Sequence, residues 1–484
     1  MTSTAPERLQ HFIGGQWRTS ASDTWLPTIN PSNTDDIIAH VPKGSVDDVK
    51  TAVDAADAAQ HAWKSLPGPA RAEHLYKWAQ ALAERTEDIA QIVTREVGKP
   101  IGEARGEVAR GVAILRYYAG DAVRPAGDVI PAQTAGSLQF SLREPLGVVA
   151  LITPWNFPVA IPLWKAAPAL AFGNTVVLKP AEASSRIAVA LGETALAAGL
   201  PSGVFNVILG SGAVIGTPLI EQDAVRAVSF TGSGGVGARV AATAAKRNIR
   251  YQTEMGGKNV VIVLPDADIQ QAAVLTAAGA MRYAGQKCTA TSRVVVAKEV
   301  EDQFLSALKS KIEGLSLGPV TEASAAIGPV ISDTSRDSVR KALDGIGTDV
   351  FYVGKIPETQ DFSRGYWVPP TVYRNVAADS ALAQNELFAP VLAEFTAEDL
   401  DHAIELANNT QYGLSASLFT KDIGSALKYI HRIQAGLVRV NGDTTGVDPH
   451  APFGGMKGSS SGSREQGPAA REFYTEIKTG QVNP

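Results

Sequence analysis

From Gly147 onward the chain repeats one unit, a short apolar run rich in valine followed by a helical stretch. Gly147 to Ile152 is the first such run, and Pro162 to Phe172 is its helix. Asn174 to Leu178 then leads into a helix from Ser184 to Ala198, and Val204 to Leu209 into one ending at Glu221. Ala227 to Phe230 leads into a helix over Gly235 to Lys246. Strands covered on both faces read as unbroken apolar runs, because neither side of the pleat meets water. Strands joined through helices run parallel, so the pattern predicts an α/β fold. A second series follows, with strands at Val260 to Leu264 and Val294 to Ala297 and helices at Asp268 to Tyr283 and Val300 to Ile312. A boundary between the two series falls near Gly256-Gly257.

Upstream, Ser45 to Ser65 predicts a helix in which Ser45 and Asp48 resemble a capping box. Ala70 to Val97 predicts one further long amphipathic helix, closed by Gly98 and Pro100. At the other end, Gly454 to Gly467 is rich in Gly and Ser, and Glu472 to Lys478 predicts a final strand. With 484 residues the chain exceeds one ordinary core, which fits two or three domains.

Composition narrows the function classes. A hydrophobic fraction of 45% excludes disorder, and a net charge of −5 with scattered basic residues gives no reason to expect nucleic acid. Met1 to Phe12 lacks the pattern of a secretory or transit segment. No apolar run reaches the roughly 18–20 residues of a membrane helix; Pro162, Lys165 and Pro168 interrupt the longest candidate. A cytoplasmic protein without a membrane partner is expected.

The one cysteine, Cys288, excludes an internal disulfide and a cysteine-rich metal site, and no metal is expected. A lone thiol is either inert packing or a nucleophile, and composition leaves both open. In Tyr283-Ala-Gly-Gln-Lys-Cys-Thr, Gly285 gives room near the sulfur and Lys287 is expected to favour the thiolate. Glu254 ends an extended stretch, either as a general base or as a solvated strand end. Gly232, Gly234 and Gly237 form a G-x-G-x-x-G between an apolar run and a helix, where backbone N–H groups can approach a pyrophosphate. The ordinary fingerprint then needs an acid about 20 positions on for the ribose, and Glu254 lies near that spacing.

Several stretches taken together, and in this order, resemble the aldehyde dehydrogenase superfamily. They are Thr153-Pro-Trp-Asn-Phe-Pro, Phe230-Thr-Gly-Ser, Glu254-Met-Gly-Gly-Lys, Gly285-Gln-Lys-Cys, Glu386-Leu-Phe-Ala-Pro and Pro452-Phe-Gly-Gly-Met-Lys. The resemblance runs from about Phe12 to Lys478. It implies an aldehyde-dehydrogenase-like α/β fold of two Rossmann-like domains plus a small β oligomerisation flap. The implied NAD(P)-binding domain is 1–122 with 146–256, and the catalytic domain is 257–458. Residues 123–145 and 459–484 would form the flap and tail, whose unpaired strands would join subunits into a homodimer or homotetramer.

The resemblance also implies roles. Cys288 would attack an aldehyde carbonyl, Asn156 and the Cys288 N–H would hold the oxyanion, and Glu254 would activate water to hydrolyse the thioester. Glu254 thereby leaves the ribose to Lys179 and Glu182, so NAD is preferred and NADP possible. Trp155, Gly232, Ser233, Glu386 and Phe388 would complete the cofactor site. Lys165 would support the catalytic end and Glu465 would move protons. Phe157, Trp164, Arg282 and Lys287 would meet the substrate, with Ile161, Thr289 and Val447 nearby. In succinic semialdehyde dehydrogenases an arginine placed like Arg282 meets the distal carboxylate; Trp164 replaces their second arginine. The stretch Asn441-Gly-Asp-Thr-Thr-Gly-Val-Asp-Pro-His-Ala-Pro-Phe looks like that of alpha-ketoglutarate semialdehyde dehydrogenases. An acid semialdehyde is the expected substrate. The alternatives are a broad aliphatic or aromatic aldehyde dehydrogenase in which Arg282 forms a structural ion pair, a coenzyme-A-acylating enzyme, and a non-catalytic relative. Two departures bear on the cofactor: Gly234-Gly235 where many relatives carry Thr-Glu, and Ala389 where glycine is usual.

Overall fold

The computed structural model describes residues 6–124, 127–344, 346, 349–359 and 362–484. The first residues of the N-terminal segment, Met1 to Ala5, and Pro125 and Ala126 of the expected flap lie outside the described residues.

After short strands between Glu7 and Pro42 come helices α1 (Val46–Ser65), α2 (Gly68–Glu84), α3 (Thr86–Val97) and α4 (Ile101–Asp121). Ser45 caps α1 by accepting the Asp48 N–H at 3.1 Å. Asp48 does not close the box by reaching back to the Ser45 backbone. Its carboxylate instead accepts from Ser20 Oγ, Ser45 Oγ and the Ala21 N–H. The segment expected as one helix over Ala70 to Val97 is two. Arg85 breaks it at φ −107° and ψ 18°, and its guanidinium pairs with Asp88 and with the distant Glu193. That tertiary pairing leaves no local pattern. Gly98, at φ +67°, ends α3 in the left-handed conformation that favours glycine.

The first sheet is built on five parallel strands: β1 (Val148–Ile152), β2 (Thr175–Lys179), β3 (Phe205–Val207), β4 (Val225–Thr231) and β5 (Arg250–Glu254), in the order β5-β4-β1-β2-β3. An antiparallel hairpin at His11–Ile13 and Gln16–Arg18 extends it beyond β3, and Ser460–Gly462 extends it beyond β5. The connecting helices are α5 (Ala160–Ala171), α6 (Ser185–Ala197), α7 (Gly212–Glu221) and α8 (Gly234–Lys246). Alternate strand residues face opposite cores. Val149, Leu151, Val176 and Leu178 pack with α2 to α6, while Val148, Ala150 and Val177 pack with α1, α7 and α8. The chain steps from β1 to β2 to β3 in one direction, then crosses back to β4 and β5. Neighbouring strands β1 and β4 therefore send their outgoing loops to opposite faces, and a crevice opens at their carboxyl ends.

A second core surrounds β6 (Asn259–Val263), β7 (Thr291–Ala297), β8 (Thr371–Arg374), β9 (Val391–Ala397), β10 (Ser415–Phe419) and β11 (Leu437–Val440), mutually parallel in the order β8-β9-β7-β6-β10-β11. Helix α9 (Ile269–Met281) joins β6 to β7, and α10 (Glu301–Glu313) follows β7. Both expected α/β series are present.

The third unit is an antiparallel sheet of Val129–Ile130, Leu138–Pro145 and Thr475–Val482. The final strand starts later than expected, at Thr475. Of the stretch expected as flap and tail, residues 459–474 pack on the first domain. Ser460–Gly462 pairs with β5, and Gly467–Tyr474 is a helix whose Phe473 and Tyr474 bury in the core containing α5. The pull is polar as well as apolar, because Glu465 in this stretch is 1% exposed and paired inside the first domain. Among the described residues no helix is long and apolar enough to cross a membrane, and no cluster of His, Cys, Asp and Glu is arranged to hold a metal ion.

Candidate active site

The crevice is bordered by the turn after β1, the turn after β4 and the end of β5. On the far side lies the loop before β7. Polar atoms at Thr153, Asn156, Thr231 and Glu254 are buried there without a hydrogen-bond partner among the described residues. Buried polar groups are ordinarily satisfied, so this convergence marks a place built for a ligand.

Cys288 is half-buried in the loop between α9 and β7. Tyr283, Ala284 and Gly285 precede it with φ of 54°, 52° and 66°. Two of these are not glycine, so the backbone is strained where the sulfur is presented. Gln286 locks the loop, donating to Pro329 O at 3.0 Å and accepting the Ile331 N–H at 2.9 Å. Asn259 Nδ2 holds the carbonyls of Cys288 and Ala290, each at 2.8 Å. The Thr289 N–H is directed at the thiol.

Burial, followed by the nearby carboxylates of Glu386 and Glu254, pushes the thiol up to about 12. The expectation that Lys287 favours the thiolate does not hold in this structure, because its ammonium is 2.9 Å from Glu103 on α4 and neutralised there. A thiol with a raised pKa is protonated at neutral pH and deprotonates only as pH rises. The alkylation rate of the ligand-free protein by iodoacetamide is therefore expected to climb steadily, about tenfold per pH unit, from pH 7 to 10. A plateau near pH 7 would contradict this placement of charge.

Asn156 donates through Nδ2 to Gln286 O at 3.1 Å, which leaves its second amide N–H for another acceptor. Its backbone carbonyl accepts Lys99 Nζ at 2.7 Å. Lys99 is wholly buried, pairs with Glu107 and lies over the rings of Phe157 (4.0 Å) and Tyr283 (4.5 Å). Glu107 in turn accepts the Val159 and Ala160 N–H groups at 2.8 and 3.0 Å, capping the start of α5. Sequence reasoning missed Lys99 and Glu107; both belong to segments whose packing brings them to the β1 turn from far along the chain.

Glu254 ends β5, 2% exposed, with its carboxylate bonded by Ser460 Oγ. Burial and then the nearby Glu465 hold its carboxyl well above the usual range. Lys165 Nζ pairs with Glu465 and donates to Ser229 Oγ at 2.8 Å. Trp164 Nε1 donates to Glu465 at 2.8 Å, so the indole joins this polar network as well as bordering the pocket. Glu465 and Lys165 are thus paired in a buried hydrogen-bonded network, and Glu254 lies within their electrostatic reach while bonded to Ser460.

The expected cofactor residues lie along the same crevice. Lys179, at the end of β2, donates to Pro180 O and Gly210 O at 2.7 and 3.2 Å, and burial lowers it to about 8. Glu182 accepts the Gly212 N–H at the start of α7 at 3.2 Å. Helix α8 begins at Gly234 with no side chain capping it, and a Cβ added at Gly234 or Gly235 would meet nothing within 4 Å. Its first N–H groups are therefore open to an anion, as a pyrophosphate needs. Glu386 accepts the Gly257 N–H at 3.0 Å, and burial raises it to about 7. Trp155 and Phe388 meet edge to face at 5.7 Å, closing one side. The left-handed residue of the 386–390 loop is Phe388, at φ +55°, so the alanine at 389 needs none of glycine's freedom. These features fit a dinucleotide.

Arg282 is exposed, and no carboxylate pairs with it among the described residues. The structural ion pair considered for it is absent there.

A family model described as "Aldehyde dehydrogenase family" matches residues 17–480. The chain is similar to the "Alpha-ketoglutaric semialdehyde dehydrogenase" of Bacillus subtilis (strain 168), 45% identical over 477 residues and covering 98% of each protein. It is 40% identical over 474 residues to the "Alpha-ketoglutarate semialdehyde dehydrogenase" of Haloferax volcanii, covering 97% of this chain and 98% of that one. A crystal structure of an NAD-dependent aldehyde dehydrogenase from Sinorhizobium meliloti superposes with a TM-score of 0.95 at 35% identity, covering 99% of this chain and 95% of that one.

Proposed function

Because the chain belongs to the aldehyde dehydrogenase family, we propose that it oxidises an acid semialdehyde, of the alpha-ketoglutarate semialdehyde kind, to the dicarboxylic acid through Cys288. The family is one of NAD(P)-dependent oxidoreductases acting on aldehydes. The observation that carries the proposed site is the meeting of one strained, carboxylate-flanked thiol with Asn156 and Glu254 around unpartnered buried polar atoms. The substrate is supported by the relatives' names and by unpaired arginine near the loop of Cys288.

Cys288 gives its thiol proton to water in the crevice, and Sγ adds to the aldehyde carbon. The free Asn156 N–H and the Cys288 backbone N–H stabilise the oxyanion of the thiohemiacetal. A bound dinucleotide would supply the hydride acceptor, and loss of hydride to it would leave the acyl group on Cys288 as a thioester. The Glu254 carboxylate takes a proton from water. The hydroxide adds to the thioester, the C–S bond breaks, and the acid leaves. Glu465 and Lys165 carry the proton onward. Lys179 and Glu182 suit a ribose, and the Glu182 carboxylate disfavours a phosphate, so NAD is preferred and NADP possible. Trp155, Gly232, Ser233, Glu386 and Phe388 line the same cofactor site, while Phe157, Trp164, Arg282 and Lys287 border the substrate.

We place domain boundaries near 122, 146 and 256, with β1 to β5 lying between Val148 and Glu254 and the second core starting at Asn259. The strand Thr475–Val482 is an edge bearing exposed Ile477 and Val482. Such an edge seeks a partner, which supports a homodimer or a homotetramer of paired dimers. A cytoplasmic location belongs to the same reading.

A substrate panel tests the proposal. The kcat/KM for alpha-ketoglutarate semialdehyde and succinic semialdehyde is expected to exceed that for pentanal and benzaldehyde by at least roughly tenfold, the worth of one charge-assisted hydrogen bond. Equal or better use of pentanal would favour a broad-specificity enzyme.

A further inference from the structure

Helix α4 carries Glu103, Glu107 and Arg110 at successive turns, so the three share one face. Glu103 is bound to Lys287, beside the proposed nucleophile. Glu107 is bound to Lys99 and caps α5. This face therefore runs along the wall between the Cys288 loop and the Asn156-Phe157 turn, and Arg110 continues it by one turn. The Arg110 Nη2 donates to the Val447 carbonyl. Val447 and Cys288 both pack against the apolar group of Leu414, Leu437 and Phe453, which places the guanidinium at the edge of the thiol's own pocket.

Two features show that this cation is incompletely served. Its Nε is buried with no hydrogen-bond partner, and no carboxylate pairs with it among the described residues. Burial pushes the group down, while Asp448, Glu107 and Cys288 pull it back, so the sulfur lies within its electrostatic reach. By contrast Lys99, Lys165 and Lys287 are each held by a glutamate. A substrate that carries its own carboxylate must approach Glu254, Glu386 and Glu465, and needs an unspent cation to offset that repulsion.

We propose that Arg110 binds the distal carboxylate of the substrate, its planar guanidinium offering a partnerless N–H to one oxygen and a second donor to the other. This inference rests on the acid-semialdehyde reading given above. It makes α4 a specificity element in addition to Arg282, which is exposed at the end of α9.

The test is steady-state kinetics of the wild-type enzyme, Arg110→Met, Arg110→Lys and Arg282→Met, each with succinic semialdehyde and with pentanal. For Arg110→Met the ratio of kcat/KM for the acid over pentanal is expected to fall roughly 10- to 100-fold, carried by KM for the acid. Arg110→Lys keeps the charge without the fork and is expected to recover part of the loss. Should the methionine variant not fold, Arg110→Gln reads the same ratio. Equal losses on both aldehydes would overturn the proposal, leaving Arg110 as a support for the Val447 loop. Loss of acid preference in Arg282→Met with none in Arg110→Met would also overturn it while the acid-semialdehyde reading stands. A wild-type enzyme with no acid preference would sink that reading itself, and this inference with it.

Discussion

Replacing Cys288 with alanine lowers aldehyde oxidation by at least about 10⁴-fold, the scale on which removal of an enzymatic nucleophile is felt, while dinucleotide binding stays within a few-fold. The separation follows from the geometry. The Cys288 loop is held by backbone and side-chain bonds that do not involve sulfur, namely Asn259 to the Cys288 carbonyl and Gln286 to Pro329 and Ile331. Alanine keeps those bonds, so the crevice and the α8 N-terminus persist. Serine would not rescue turnover, because an alkoxide is harder to form than a thiolate where Glu386 and Glu254 already oppose a negative charge. Titration calorimetry with NAD and a coupled absorbance assay measure the two halves. Turnover within tenfold of the parent enzyme would remove Cys288 from the chemistry.

Replacing Glu254 with glutamine divides the reaction in two. Attack by sulfur and loss of hydride do not require the Glu254 carboxylate to activate water, whereas hydrolysis of the thioester does. Rapid mixing is expected to give a burst of reduced cofactor approaching one equivalent per site, followed by turnover slower by about 10²–10⁴-fold, the usual worth of a general base. Glutamine is close in volume and can still accept from Ser460 Oγ. It also removes the like-charge strain with Glu465, so the folded state is not expected to suffer. A variant that lost burst and steady state equally would assign Glu254 to the first step instead.

Much of this site was legible because local backbone demands leave local marks. The valine runs at β1, β2 and β4 announced a parallel sheet, and the glycines at 232–237 announced an open helix start. The literal fingerprint alone would have sent Glu254 to a ribose; only its companion stretches moved it to catalysis. It is buried, bonded by Ser460 and within electrostatic reach of Glu465. What stayed hidden depends on distant segments meeting. Arg85 breaks a helix to reach Glu193, and Lys287 is spent on Glu103 rather than on the thiol. The helix Gly467–Tyr474 was not legible in the Gly- and Ser-rich end of the chain, because the pull of Phe473 and Tyr474 into the core containing α5 is tertiary. Arg110 could have been singled out only as the third member of a polar helix face. Its nearness to sulfur comes from the packing of α4 on α5, which no periodicity encodes.

Peptide-mapped mass spectrometry of Glu254→Gln, quenched after one turnover with succinic semialdehyde and NAD, tests the central claim most directly. The account predicts the added mass of the acyl group on the peptide containing Cys288, released by hydroxylamine as a thioester is. An unmodified Cys288 peptide after a full burst, or the acyl group on another residue, would contradict it.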